Sequence, residues 1–236
     1  LDRPMLQLPN VIGHRGAAAY APENTLASFR EARSRGATWV EIDVKLTADG
    51  VPIVMHDPSL KRTMGIDRLV AETRRAELPA EVPTFEQAIA CFEVLGLGCN
   101  VEIKPCDGRE METAVATVAL LRHRWPSSLP APLLSSFKDA CLAAARERAP
   151  EFARALLIDD LADDWRWRVE AVGATCVNTN GARLTPGRAR EIKQAGHALS
   201  VYTINDPGLA RSLVGVGVDC VITDAPDIVL AALAAK

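Results

Sequence analysis

The sequence predicts an α/β chain folded as a TIM (β/α)8 barrel, with a short insertion after the second strand and its hairpin. Three observations carry that reading. Eight short apolar runs recur along the chain, ending in polar residues. Between most of them lie stretches with helical spacing, such as METAVATVALLRHR and LTPGRAREIKQAG. Strands alternating with helices imply parallel βαβ units, and eight such units fit 236 residues as one domain, residues 1–236. An open doubly wound sheet ranks second. Its dinucleotide-binding version is disfavoured because no G-x-G-x-x-G follows the first strand.

The elements follow in order. VIGH (11–14) is the first strand, and PENTLASF starts a helix with Asn24 as its N-cap, its start at Glu23–Asn24 facing the site at the strand end. WVEIDV (39–44) is the second strand. Asp49-Gly50 then signals a hairpin into VPIVMHD. With a two-residue loop, Ala48 faces Val51 and Asp43 faces His56, which sets His56 beside the acids of the strand. Residues 58–82 are charged and irregular and read as a small insertion or lid. Thr84 followed by Gln87 has capping-box spacing and starts the next helix. NVEIK (100–104), PLLSS (132–136), ARALLI (153–158) and CVNTN (176–180) are the next strands. Pro186 after Thr185 is a first-turn proline. LSVYTI (199–204) and CVITD (220–224) complete the eight, and DIVLAALAAK reads as a closing helix.

Hydrophobic residues make up 48% and charged residues 24%, an ordinary globular balance. The net charge of −3 and the lack of a basic cluster give no nucleic-acid footprint. No apolar run reaches the length of a membrane span. The six cysteines form no C-x-x-C pair and read as reduced thiols, mostly buried. With an N-terminal stretch, LDRPMLQLPN, that has no apolar secretory core, this predicts a cytoplasmic protein.

The chemistry concentrates at strand ends, where barrel enzymes carry their sites. Glu41 and Asp43 lie two apart in VEIDV, so both carboxylates share one face. Glu102 and Lys104 repeat that geometry in VEIK. Neighbouring buried carboxylates repel, and a cation between them removes the cost. Lys104 or Lys45 could neutralise the acids without a metal, but three acids on neighbouring strands favour a hard divalent cation, Mg²⁺ or Ca²⁺.

Of four histidines, His123 and His197 read as surface residues. His14 and His56 end apolar runs, where they suit a general acid and a general base. A zinc-like set of both histidines with carboxylates ranks second. Arg15 and Lys104 make an anion site suited to phosphate. Gly16 would let the backbone approach a substrate closely. The chain has no G-x-S-x-G, no P-loop and no H-E-x-x-H.

HRG…PENT, EIDVKLTADGVPIVMHD, PTFEQAI, VEIK, SSF, VYTIN and VITDAP, in this order from Gly13 to Pro226, resemble the glycerophosphodiester phosphodiesterase family. The resemblance implies a TIM barrel that hydrolyses soluble glycerophosphodiesters to glycerol 3-phosphate and an alcohol. It implies His14 and His56 as the acid–base pair, and Glu41, Asp43 and Glu102 as ligands of one divalent cation. It implies Arg15 and Lys104 on the phosphate, and Phe137 and Tyr202 along the glycerol or head-group side. Tyr202 departs from the W-T-x-N pattern of many members, which bears on head-group preference. Two rivals use the same barrel: a phospholipase of C or D type, and a non-catalytic phosphate-ligand binder. The first would need an apolar docking loop, which the sequence lacks. The second should have lost a histidine or an acid, and none is missing.

Overall fold

A computed structural model describes residues 6–235. The expectations that touch residues 1–5 and Lys236 lie outside them. The chain begins β1 (Val11–Gly13), α1 (Leu26–Ser34), β2 (Trp39–Leu46), β3 (Pro52–Val54), α2 (Lys61–Met64), α3 (Phe85–Leu95) and β4 (Gly98–Ile103). It continues α4 (Glu110–Arg124), β5 (Leu133–Ser136), α5 (Asp139–Arg148), β6 (Ala153–Ile158) and α6 (Trp165–Val172). It ends β7 (Cys176–Asn180), α7 (Pro186–Gln194), β8 (Ala198–Tyr202), α8 (Pro207–Gly215), β9 (Cys220–Thr223) and α9 (Pro226–Ala234). Eight of the strands, all but β3, run parallel from β2 through β4 to β9, and β1 closes the ring by pairing with both β9 and β2. The predicted barrel is the fold.

Alternation along the strands sorts the side chains. Val40, Ile42 and Val44 of β2, and Val101 and Ile103 of β4, pack outward against Phe29, Phe85 and Phe92 of the helices. The lower interior is closed by Ile12, Trp39, Leu133, Ala155, Cys176, Cys220 and Ile222, with Leu6 and Leu8 packed against them. Gly98 faces Trp39, where any Cβ would collide with the indole. The glycine is thus what admits so large a ring to the barrel floor. Above this layer the interior turns polar, with Asn100, Ser135 and Asn178 all buried.

Helix starts are built as read at two places. Thr84 and Gln87 exchange both capping-box bonds, and Pro186 opens α7 behind Thr185. At α1 the expectation fails. The cap is Thr25, whose Oγ1 accepts from the Ser28 N–H at 3.2 Å, while Asn24 sits at φ +58° and is engaged elsewhere.

The hairpin register also differs by one residue. Val44 faces Val54 and Leu46 faces Pro52, so the loop has three residues, 48–50. The Gly50 N–H reaches the Thr47 carbonyl with Gly50 at φ +76°, and Thr47 Oγ1 accepts from the Val51 N–H at 2.9 Å. A turn closed by a left-handed glycine is the usual three-residue solution. Asp43 therefore pairs with Met55, whose N–H bonds the Asp43 carbonyl. The predicted Asp43–His56 pairing is not made.

Residues 58–82 are irregular as expected, but they are packed rather than loose. Leu60, Val70, Leu78 and Val82 form a small core with Ile53, Met55 and Cys106. All six thiols are free, and all but the half-buried Cys91 are buried. His123 is exposed, whereas His197 is half-buried edge-on against Trp165, so its surface reading is corrected. Among the described residues no helix is long and apolar enough to cross a membrane.

Candidate active site

The C-terminal ends of the strands carry the chemistry. Glu41 and Asp43 of β2 and Glu102 of β4 are buried, and one carboxylate oxygen from each lies within 4.8 Å of the others. Register explains this: Asp43 is the direct neighbour of Glu102 on the adjoining strand. The cluster is the acid triad expected from the sequence.

The β1 turn wraps over these acids. Arg15 takes a left-handed φ of +49°, uncommon for a residue with a side chain. In that conformation its N–H donates to Glu41 Oε2 at 3.0 Å, and its guanidinium Nε lies 3.4 Å from Asp43 Oδ2. Nη1 donates to Glu23 Oε1 at 2.8 Å. Asn24, read from sequence as a helix cap, donates from Nδ2 to Asp43 Oδ2 at 2.8 Å. Gly16 does not face the site opening. It is buried at φ +93°, where a Cβ would collide with Ser28 of α1. The motif needs glycine so that the turn can press onto the helix.

Lys104 donates to Glu102 Oε1 at 2.8 Å and lies 3.5 Å from Asp43 Oδ1. Lys45 points elsewhere, donating to the Lys104 carbonyl at 2.9 Å. Two cations thus face three acids, and the balance shows in their protonation. Burial, then Asp43 and Glu102 beside it, raises Glu41 well above the usual carboxylate range. Burial and Asp43 push Glu102 up to about 7. Burial would raise Asp43 too, but Lys104 and Arg15 outweigh it and hold that acid down at about 2. Asp43 Oδ1 is nevertheless buried without a hydrogen-bond partner. A buried carboxylate oxygen with no hydrogen bond and only the Lys104 ammonium 3.5 Å away, within a surplus of oxygen donors free of sulfur, fits a hard divalent cation. The triad could hold such an ion.

Each candidate histidine is oriented by its own carboxylate. His14 Nδ1 lies 2.6 Å from Asp224 Oδ1, and its Nε2 is 4.0 Å from Glu41 Oε2. Asp224 Oδ2 accepts from Asn205 Nδ2 at 2.7 Å. His56 Nδ1 lies 2.6 Å from Asp57 Oδ1. Burial lowers the His56 pKa, against the opposing pull of Asp43. The chain bends after β3, so His56 reaches the acids without the strand pairing that was expected to bring it there. His14, Arg15, Glu41, His56, Glu102, Lys104, Phe137 and Tyr202 line one cavity of about 140 Å³. Phe137 and Tyr202 meet edge-to-face with centroids 5.9 Å apart, and Lys104 Nζ lies 5.6 Å from the Phe137 ring centre.

All the site residues expected from the sequence but Asp43 line this cavity, and Asp43 lies beside Glu102 on the adjoining strand. Missed as partners are Asp57, Arg62, Asn205 and Asp224, whereas Glu23 and Asn24, the helix start read as facing the site, bond Arg15 and Asp43. Asn205 and Asp224 carried a signal, since both follow strands as polar residues.

The glycerophosphoryl diester phosphodiesterase family model matches residues 14–228. A glycerophosphodiester phosphodiesterase of Caldanaerobacter subterraneus subsp. tengcongensis is 27% identical over 92% of this chain and 94% of its own. An Oleispira antarctica phosphodiesterase, solved in complex with the product sn-glycerol-3-phosphate, superposes with a TM-score of 0.94 at 37% identity, covering 97% of this chain and 98% of that one. A glycerophosphodiester phosphodiesterase from Thermotoga maritima superposes at 0.76 with 28% identity, covering 95% and 97%. The likeness thus runs from the His14 turn through every strand end described above, and this chain belongs to the glycerophosphoryl diester phosphodiesterase family of enzymes.

Proposed function

We propose that the enzyme hydrolyses soluble glycerophosphodiesters to glycerol 3-phosphate and an alcohol, using His14 and His56 as acid and base. The observation that carries this is the pair of imidazoles, each bonded through Nδ1 to a separate carboxylate and both lining the cavity that Glu41 and Glu102 of the acid triad also line. Two oriented imidazoles supply both proton transfers of a phosphodiester cleavage. One takes the proton of the attacking oxygen as it bonds to phosphorus, that oxygen being a water's, or the substrate's own glycerol hydroxyl with water then opening the cyclic phosphate. The other gives a proton to the departing alkoxide as its bond to phosphorus breaks. Arg15 and Lys104 bind the phosphoryl oxygens, and Phe137 and Tyr202 line the glycerol or head-group side.

Glu41, Asp43 and Glu102 would hold one divalent cation, Mg²⁺ or Ca²⁺. Bound there, it would polarise the phosphoryl oxygens and offset their growing charge. A soluble substrate is favoured over a lipid because the insertion beside the site is charged on its surface and packs most of its apolar residues inward, leaving Leu69 alone among its large ones exposed.

The test is release of glycerol 3-phosphate from glycerophosphocholine by purified protein, before and after EDTA, with Mg²⁺ or Ca²⁺ restored. Product that disappears with EDTA and returns with metal supports the whole reading. Product that survives EDTA removes the cation, and no product with any metal removes this substrate.

A further inference from the structure

Arg62, in the four-residue helix α2 of the insertion, touches none of the residues expected to meet substrate. Four of its five N–H groups are nonetheless committed. Nε donates to Asp57 Oδ2 at 2.6 Å and Nη2 to Asp57 Oδ1 at 3.0 Å. On the other edge, Nη1 donates to Glu23 Oε2 at 2.9 Å and Nη2 to Glu23 Oε1 at 2.7 Å. These two carboxylates are the ones that hold His56 and Arg15: Asp57 Oδ1 takes the His56 Nδ1 bond, and Glu23 Oε1 takes the Arg15 Nη1 bond.

We infer that Arg62 is a positioning residue that fixes His56 and Arg15 together, by clamping Asp57 and Glu23 in one planar fork. An ionised Asp57 can only accept, so the imidazole must carry its proton on Nδ1 and leave Nε2 bare. Without Arg62 the Asp57 carboxylate is free to turn and take water, and the tautomer is no longer dictated. Glu23 likewise loses the partner that keeps it between the insertion and Arg15. The packed core beneath the segment, with Leu60 fully buried just before α2, holds the guanidinium in place. The insertion thereby becomes a strut for the site. A lysine cannot replace it, since one ammonium does not present two forks.

The inference rests on the proposed acid–base role of His56, and two kinds of measurement separate them. Long-range ¹H–¹⁵N spectra of the His56 ring should show the Nδ1-protonated tautomer in the unaltered chain and a mixture in Arg62→Ala. That readout needs no turnover, so it stands even if the diesterase reading fails. Turnover is then measured with the metal-saturated enzyme. Arg62→Ala should lower kcat about 10- to 100-fold, the scale of an ångström's misplacement of a reacting group. Arg62→Lys should restore only part of that activity, and the control Lys61→Ala should keep full turnover. Asp57→Asn combined with Arg62→Ala should lose less than the product of the two single losses, because the Asp57 arm is shared and only the Glu23 arm adds to it. If Arg62→Ala does not fold, Arg62→Gln replaces it. An unchanged His56 tautomer, or losses that simply multiply in the double variant, overturns the inference.

Discussion

His14 Nδ1 lies 2.6 Å from Asp224 Oδ1, a pair 210 residues apart that only closure of the barrel between β9 and β1 brings together. The direction of this bond is dictated by a third residue. Asn205 Oδ1 accepts from the Asp224 N–H and from Thr223 Oγ1, so its Nδ2 must be the group that donates to Asp224 Oδ2. In Asp224→Asn the new amide would turn its oxygen toward Asn205 and its NH₂ toward His14. The imidazole would then accept at Nδ1 and carry its proton on Nε2. We expect Asp224→Asn to lose at least about 10²-fold in kcat, and more than Asp224→Ala, because a wrong tautomer is worse than an unconstrained one. Steady-state kinetics on the two variants at saturating metal decide it, and the reverse order removes the tautomer argument.

His14→Ala and His56→Ala should each cut turnover by at least about 10²-fold, the usual worth of a positioned acid or base. Both imidazoles are partly exposed at the cavity rim and belong to none of the apolar clusters. The melting temperature and the metal isotherm should therefore hold. A variant that loses activity only by unfolding would not support either role.

The barrel, the acid triad and the two histidines were legible because each follows from local rules: apolar runs set the strands, and a period of two sets which acids share a face. What was not legible came from contacts between distant segments. Asn24 has the sequence context of a helix cap, yet tertiary contact with Asp43 claims its side chain and Thr25 takes over the cap. The hairpin register turned on one residue of loop length, set by the Thr47 hydroxyl bonding the Val51 N–H. His56 arrived at the site for a reason other than the one read from sequence, a bend after β3 in place of a strand pair. Arg62 lay in a segment whose charge pattern resembled solvated surface, and nothing local distinguishes a clamp from a surface arginine.

Metal removal should make folding stability depend on pH in a defined direction. In the metal-free chain Glu102 is pushed up to about 7 by burial and by Asp43, well above the value of an unfolded glutamate near 4.3. Between those two values the folded state binds more protons than the unfolded one, so stability falls as pH rises through the window. A cation held by the triad replaces that proton and should remove the dependence. Melting curves of EDTA-treated protein should therefore drop from about pH 5 to about pH 7, and Mg²⁺ or Ca²⁺ should flatten them. Glu41→Gln should weaken metal binding while sparing or raising the melting temperature of the metal-free chain, since burial and its acidic neighbours already disfavour the Glu41 charge. An unchanged metal isotherm would take Glu41 out of the ligand set.

Gly16→Ala tests how the His-Arg-Gly turn is built. The backbone there is at φ +93°, and an added Cβ would meet the Ser28 side chain and carbonyl carbon of α1. Strained backbone and overpacking each cost on the order of 1–3 kcal/mol. The chain can relieve the clash only by lifting the turn away from α1. That movement would carry Arg15 with it, breaking the Arg15 N–H bond to Glu41 Oε2 and moving His14 relative to Asp224. The expected result is a lower melting temperature together with a kcat loss in the fraction that remains folded. Were the glycine needed instead for close approach of a substrate, Gly16→Ala would raise KM and leave the melting temperature in place. The two quantities measured on one variant therefore distinguish a packing glycine from a binding one, and the burial of Gly16 against α1 favours packing.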